Sequence, residues 1–392
     1  MASSRRVLFV VNAFESDAPT RVTIELARGL KANRWMVGFV AWSRGGPLQL
    51  ELSEEFPFAI NLRQQSAIEC LRPLALANVI LKFRPAIVHS VLSRPAIGVM
   101  LSRAFTGRDR YCWVAGDHGI HEWQEHGRLA EVVARYAVPA CLNNADLSVT
   151  VSTFAAHALA GAGVNSERIA VVPNGVDPHK YYPRTRAGRC SFLANTFPDF
   201  DPAMVWPLIG SAGNLREIKG HSDLVAALPG VRRTYPGAHL ILWGDGPELA
   251  RLRSLAHQHG VEDAVAFAGR VTNLESLLPL LDVFVQPSRV ESFGLAAAEA
   301  MACGVPTIVA NVGGLTEIAK QGNAARIFRS GDPDDLARVI LSLLYNKQQL
   351  RRQGAAGRGR VLSQFTTTRM VQKMEHLYLE LINPSESRGG EP

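Results

Sequence analysis

The chain has 392 residues, 47% of them hydrophobic, with a mean hydropathy of +0.03 and a formal net charge of +7. That length accommodates two or three domains with large cores, and the hydropathy fits a soluble globular protein with buried parallel sheets. No apolar run approaches the roughly 18 residues of a membrane span, so a helical membrane protein is not expected.

The charge is uneven. Residues 1–187 hold 21 Lys and Arg against 15 Asp and Glu, six of the seven net charges. Such an excess suits nucleic acid, an anionic membrane surface or an acidic substrate, or is a dispersed solvated surface. Its dispersal, with no aromatic interleaving and no finger spacing, argues against nucleic acid as a partner. Cys70, Cys112, Cys141, Cys190 and Cys303 are odd in number and form no C-x-x-C pair, which points to a reducing cytoplasm. Cys303 is read as a small packing residue.

Met1 to Arg6 leads directly into Val7–Val11, too short for a signal sequence and without a cleavage site, so a first strand is expected there. Further apolar runs at Met36–Trp42, Phe56–Ile60, Ala86–Val91, Tyr111–Ala115, Leu147–Val151 and Ile169–Val172 alternate with helical segments. That is the pattern of an α/β doubly wound parallel sheet. Val22, Leu26 and Leu30 recur every fourth residue and predict an amphipathic helix from Pro19 to about Ala32, capped by Asp17. Ligands in such sheets bind at the carboxyl ends of the strands, so the loops after Val11, Val88 and Ala115 matter most.

The first of these loops, Asn12–Thr20, contains no glycine. The third holds His118, His121 and His126 among Asp117, Glu122 and Glu125. There His126 follows His121 at five residues rather than four, which fails the zinc-helix spacing, and no metal is expected. His89 reads as a packing or hydrogen-bonding histidine at a strand end. Val171–Asp177 is a strand ending in an Asn174-Gly175 turn.

Arg184–Pro207 has Gly188, three prolines and no apolar periodicity; the interdomain connection is placed there, somewhat longer than such a connection requires. A second alternating set follows, with strands near Leu208–Ala212, Leu240–Trp243, Val265–Phe267, Val283–Gln286 and Thr307–Ala310. Asp332–Leu344, Gln348–Gln364 and Arg369–Leu381 read as helices, and Asn383–Pro392 as a polar tail. No Gly-x-Gly-x-x-Gly follows a strand and there is no Walker A motif, which disfavours a dinucleotide dehydrogenase.

The stretch from Val283 to Glu317 carries the most chemistry. Leu295–Ala302 is Ala-rich and stopped by Gly304 and Pro306, so Glu291 precedes a helix and Glu299 lies on it. The backbone amides of Ser292, Phe293, Gly294 and Leu295 would face a ligand between these carboxylates, and a helix start favours an anion. Carboxylates that accept from vicinal hydroxyls, beside amides that suit a diphosphate, fit a sugar nucleotide.

Glu291-x7-Glu299, followed by Cys303-Gly304-Val305-Pro306 and by Gly313-Gly314-Leu315-Thr316-Glu317, resembles the retaining glycosyltransferases of the GT-B fold, family 4 (glycosyl transferases group 1). The resemblance runs from Val7 to about Leu381 and is most specific in the second half. It implies two Rossmann-like domains facing across a cleft: an acceptor domain over 1–187, a nucleotide-sugar donor domain over 205–365, and a helix over 366–382 crossing back to the first domain. It also implies transfer of a sugar from a UDP- or GDP-sugar to an acceptor hydroxyl with retained configuration. No metal and no cofactor beyond the co-substrate are required. A glycan or lipid-linked acceptor in cell-envelope polysaccharide or glycolipid assembly is expected, in the cytoplasm or peripherally at an anionic membrane face.

Residue by residue, Gly213, Leu215, Lys219 and Gly220 match the family's Gly-Arg-Leu-x-x-x-Lys-Gly, with Asn214 in place of the arginine. Lys219 then carries the matched cationic role at the diphosphate. Val271, in Phe267–Val271, matches a base contact, and Pro173–Asp177 a signature that closes the first domain. Glu291 would orient the sugar hydroxyls and Glu299 the ribose diol, and His118, with His121 second, matches a histidine near the reacting sugar. Relatives carry a glycine pair in the loop where this chain has Asn12–Thr20. Asp17 and Thr20 therefore either contact an unusual acceptor or mark a half that has lost part of a catalytic role. The competing readings are a catalytically weakened subunit working with a partner protein, a same-fold sugar-nucleotide epimerase, and a nucleic-acid binder.

Overall fold

The computed structural model describes residues 5–65, 68–117, 128–320 and 323–384. Among these the chain forms two parallel β-sheets, of seven and six strands. Its internal contacts divide it into two units, Met1–Gly175 with Thr367–Pro392, and Val176–Thr366.

In the first unit β1 (Arg6–Ala13), β2 (Met36–Arg44), β3 (Ala59–Asn61), β4 (Ile87–Val91), β5 (Cys112–Asp117), β6 (Leu147–Thr150) and β7 (Ile169–Val171) align in the order β3-β2-β1-β4-β5-β6-β7. The apolar run of β1 is buried throughout its centre, as in parallel sheets covered by helices on both faces. Phe9 stacks on Phe39 at 5.4 Å across the β1–β2 pair. Helix α1 (Ala18–Ala32) carries the expected cap: Asp17 Oδ1 accepts from Thr20 N at 2.9 Å. Helices α2 (Arg72–Phe83) and α3 (Ser93–Thr106) flank β4 in sequence and pack on each other. The apolar run at Phe56–Ile60 is only partly a strand. Phe56 ends the preceding helix and packs against Phe39, so its hydrophobicity serves the core and the strand begins at Ala59.

In the second unit β8 (Leu208–Ala212), β9 (His239–Trp243), β10 (Val265–Phe267), β11 (Val283–Gln286), β12 (Thr307–Ala310) and β13 (Arg326–Phe328) align as β10-β9-β8-β11-β12-β13. β13 is not predicted by hydrophobic pattern, being three residues long with a charge at its start. Arg184–Pro207 is a folded segment rather than an irregular connector: it contains α4 (Arg189–Thr196) and a 3-10 turn at Pro202–Met204. Arg186 and Arg189 reach Asp282 at 2.5 and 2.7 Å, and Leu208 N donates to the same carboxylate at 2.8 Å. A buried carboxylate must be compensated, and Asp282, 3% exposed, takes its compensation from this segment. The division between the units accordingly falls after Gly175, and 176–187 go with the second unit rather than the first.

Also in the second unit, α5 (His221–Thr234) follows β8, α6 (Leu295–Ala302) follows β11, and α7 (Lys347–Gln364) packs on α6. The chain then returns as α8 (Thr367–Ile382), which belongs to the first unit. Glu375 of α8 accepts from Trp35 Nε1 at 2.8 Å, and Tyr378 meets His89 Nδ1 at 2.5 Å. His89 is thus a buried hydrogen-bonding histidine. No helix among the described residues is long and apolar enough to cross a membrane.

Candidate functional site

In the second sheet β8 and β11 are neighbours, and strand order runs outward in opposite directions from them. A crevice at the carboxyl ends of such strands is where open α/β sheets bind ligands. Two loops meet there. After β8, a single 3-10 turn, Glu217–Lys219, ends at Gly220, whose φ is 66°. A Cβ on Gly220 would lie 2.0 Å from the carbonyl oxygen of Pro287, in the loop after β11. Only glycine permits that approach. The contact is sealed by Arg289 N donating to Ile218 O at 2.8 Å.

This docking of loops brings Lys219 Nζ to 2.8 Å from Glu291 Oε2. Ser288 Oγ donates to the same carboxylate oxygen at 3.2 Å and receives a hydrogen bond from Gln286 Nε2 at 2.9 Å. Lys219 and Glu291 keep side-chain exposures of 24% and 15%, so both ends of the pair remain reachable. Asp223 of α5 ties the loops down from behind, accepting from Arg289 at 3.0 Å and from Gly331 N at 3.1 Å. Burial pushes the Asp223 carboxyl up, with the Arg289 charge opposing. Burial, reinforced by the Lys219 charge, pushes His221 down to about 4, so at neutral pH its imidazole is uncharged and Lys219 supplies the cation here.

Glu291 leads through Ser292 and Phe293 to Gly294, which opens α6 without a side-chain cap. The amides of the first turn thus have no partner within the helix or from a capping side chain. Glu299 lies on this helix and is buried. Four residues on, the Cys303 thiol is pushed up to about 12 by its own burial and then by the Glu299 charge, a packing residue and not a nucleophile. The Phe293 ring packs edge-on to Phe365 at 5.5 Å, so it is the backbone of that residue that faces the loop chemistry.

The structure therefore brings Lys219, Glu291, Ser292, Gly294 and Leu295 into one loop region, with Glu299 on the helix that leaves it. Gly213 and Asn214 sit in the loop after β8, where Leu215 is buried and Asn214 is exposed. Val271 follows β10, with β9 between that edge strand and β8. Ser288, Gln286 and Asp223 escape motif reading. Their one signal is polarity at the ends of otherwise apolar runs, as where Gln286 closes Val283-Phe284-Val285.

In the first unit Asp17 is engaged as the cap of α1 and Thr20 is buried. Asn12 accepts from Ser43 Oγ at 2.7 Å, and Phe14 O accepts from Leu48 N at 3.1 Å. A Cβ on Gly46 would stand 2.2 Å from Phe14 O, so the glycine that eases packing around the first loop is supplied by the neighbouring one. His118 and His121 lie outside the described residues.

Comparison with known proteins adds two matching family models, Glycosyltransferase Family 4 over residues 20–180 and Glycosyl transferases group 1 over residues 203–360. The chain is 32% identical over 272 residues to the GDP-mannose-dependent alpha-(1-6)-phosphatidylinositol monomannoside mannosyltransferase of Mycobacterium tuberculosis, covering 67% of this chain and 68% of that one. It is 34% identical over 174 residues to the N-acetyl-alpha-D-glucosaminyl L-malate synthase of Bacillus anthracis, covering 44% and 45%. The glycogen synthase of M. tuberculosis is 34% identical over 219 residues, covering 55% and 50%, so the chain spans about half the length of these last two relatives. Among solved structures, Anabaena Alr3699/HepE in complex with UDP-glucose superposes with a TM-score of 0.80 at 19% identity, covering 95% of this chain and 98% of that one. Sucrose-phosphate synthase from Thermosynechococcus elongatus gives 0.76 at 21% identity, covering 97% and 100%. At such identities the likeness is one of fold.

Proposed function

The chain belongs to the family-4 glycosyltransferases of the GT-B fold, and from that premise we propose that it moves a sugar from a nucleotide-sugar donor to an acceptor hydroxyl with retention of anomeric configuration. The observation that carries this reading is the Lys219–Glu291 pair, 2.8 Å apart at the carboxyl ends of adjacent strands β8 and β11 and next to the uncapped start of α6. Lys219 pairs with Glu291. A diphosphate competes for Lys219, and Glu291, still held by Ser288, turns its oxygens to the sugar hydroxyls. Glu299 takes the ribose diol.

In the transfer step the acceptor oxygen bonds to the anomeric carbon on the face from which the diphosphate departs. A leaving phosphate oxygen takes the acceptor's proton. Lys219 and the α6 amides stabilise the charge that builds on the diphosphate, an electrostatic role that needs no metal. His118, with His121 as the second match, is assigned to the reacting sugar by the resemblance of its segment. One relative is named for GDP-mannose and one structure was solved with UDP-glucose, which supports a GDP- or UDP-sugar as donor.

A glycan or lipid-linked acceptor fits the relative named for a phosphatidylinositol mannoside. Adjoining helices α2 and α3 expose Leu74, Leu81, Leu101 and Phe105, with Lys82 and Arg84 following Leu81 and Arg108 and Arg110 following Phe105. Apolar positions beside cations suit peripheral contact with an anionic membrane on the cytoplasmic side. A second reading, a donor-binding subunit that works with a partner, draws on the uncharged, exposed Asn214 and on a first loop whose polar groups serve the fold.

The test is nucleotide release from UDP- and GDP-sugars with and without glycan and lipid acceptors, the product anomer being read by NMR. The proposal predicts acceptor-dependent release and a product of retained configuration. Release without acceptor, or an inverted product, would overturn it. Tight donor binding with no turnover on any acceptor would favour the second reading.

A further inference from the structure

The folded segment 184–207 builds something at the opposite end of the second unit's central strands. Arg186, Arg189 and Trp206 wall a cavity of about 620 Å³ at the amino ends of β8, β11 and β12. The rest of its charged lining is Asp282, which directly precedes β11, and Lys347 and Arg351 of α7. Lys219 and Glu291 lie at the carboxyl ends of the same strands, so this is a second place and not an extension of the donor site. Its volume falls within the few hundred to about 1,000 Å³ typical of small-ligand sites.

Four cations here face one carboxylate. Asp282 neutralises a single unit of charge while fixing two guanidinium groups, and Arg186 and Arg189 are held further by the carbonyls of Leu281 and Leu280. Their planes are spent on the protein, but one positive charge between them is not balanced. Lys347 stands over the Trp206 ring at 5.5 Å. Arg351 stands four residues along α7, and so on the same helix face, and its guanidinium has no hydrogen-bond or ion-pair partner among the described residues. Three net positive charges thus converge on a concave surface, where low-dielectric walls concentrate the field and favour an anion.

We infer that this cavity binds a small organic phosphate, with Lys347 and Arg351 as its hydrogen-bond donors and the Arg186–Asp282–Arg189 cluster as a fixed positive wall. A phosphomonoester is close to dianionic at neutral pH and would offset about two of the three excess charges. Trp206, half-buried beside Lys347, offers apolar surface to the carbon skeleton the phosphate carries.

The experiment is calorimetric titration of the full chain, at fixed ionic strength, with ribose 5-phosphate and separately with inorganic phosphate. Lys347 and Arg351 are both exposed, so the double variant K347A/R351A should fold as the wild type does, which its melting temperature checks. Wild type and Lys219→Ala should show one saturable site of equal affinity for ribose 5-phosphate, and K347A/R351A should weaken it roughly tenfold or more. Equal binding of the two probes would make the phosphate group itself the ligand, and tighter binding of ribose 5-phosphate would show that the carbon skeleton is read as well. Unchanged affinity in K347A/R351A, loss of binding in Lys219→Ala instead, or no saturable site for either probe would overturn the inference.

Discussion

Two stretches hold equivalent places in their sheets: Asn12–Thr20, from the end of β1 into α1, and Gly213–Gly220 after β8 each leave the strand at which the strand order reverses. They use their polar groups differently. At the end of β1 and beyond, Asn12 accepts from Ser43, the Phe14 carbonyl is taken by Leu48 and Asp17 caps a helix. After β8, backbone contacts and one glycine hold the loop, and the Lys219 ammonium is left to reach Glu291. Topology offers the same position twice. Such a position is free to serve a ligand where the fold's own hydrogen-bonding needs are met without consuming the side chains that could do chemistry.

The comparison can be broken at either loop. The largest effect belongs to Lys219: in Lys219→Ala, loss of the charge facing the leaving diphosphate should lower kcat by about 10²–10³-fold, as for other preorganised electrostatic donors. Steady-state kinetics on an active donor–acceptor pair checks it, and a kcat within threefold of wild type would remove Lys219 from the step.

Next comes pH. His221 is held at about 4 against an ordinary value of 6.5, so between those values the unfolded chain binds a proton that the folded chain refuses. Stability contributed by this residue is intact above pH 6.5, falls as pH drops through the window and levels off below about 4, a total of about 3 kcal/mol at 1.36 kcal/mol per pKa unit. Urea unfolding of wild type and His221→Leu at pH 7 and pH 4.5 should show a smaller acid loss in the variant. An identical pH dependence would contradict the assignment.

Smaller still, Asp17→Ala should cost about 1 kcal/mol of stability, the worth of a helix cap, and leave acceptor KM unchanged. A raised KM at unchanged stability would make Asp17 an acceptor contact instead. Smallest, Asn214→Arg restores the cation that the family motif carries and should tighten donor binding a few-fold, roughly 1 kcal/mol or less at an exposed position. Weakened binding would show that Asn214 is itself selected for the donor.

Much of this was legible in the residues. Alternating apolar runs located β1, β2 and β4–β12, and the α1 cap was readable because Asp17 stands just before a four-residue apolar period. What the pattern hid was structure made by pairing across long sequence distances. Arg186 and Arg189 look like linker charges until Asp282, more than ninety residues on, needs neutralising. Ser288 and Gln286 are single polar residues whose role exists only once Lys219 and Glu291 are side by side. Gly46 looks like turn punctuation, but it lets one loop close on the Phe14 carbonyl of another.

The most direct test of the central claim, that the second unit holds a nucleotide sugar between Lys219, Glu291 and Glu299, is calorimetric titration of wild type, Glu299→Ala and Asp17→Ala with UDP-glucose and GDP-mannose. Wild type should bind one of the two, Glu299→Ala should bind it at least about tenfold more weakly, a loss of roughly 1.4 kcal/mol, and Asp17→Ala should match wild type. Wild-type affinity in Glu299→Ala, or its loss in Asp17→Ala, would contradict the account.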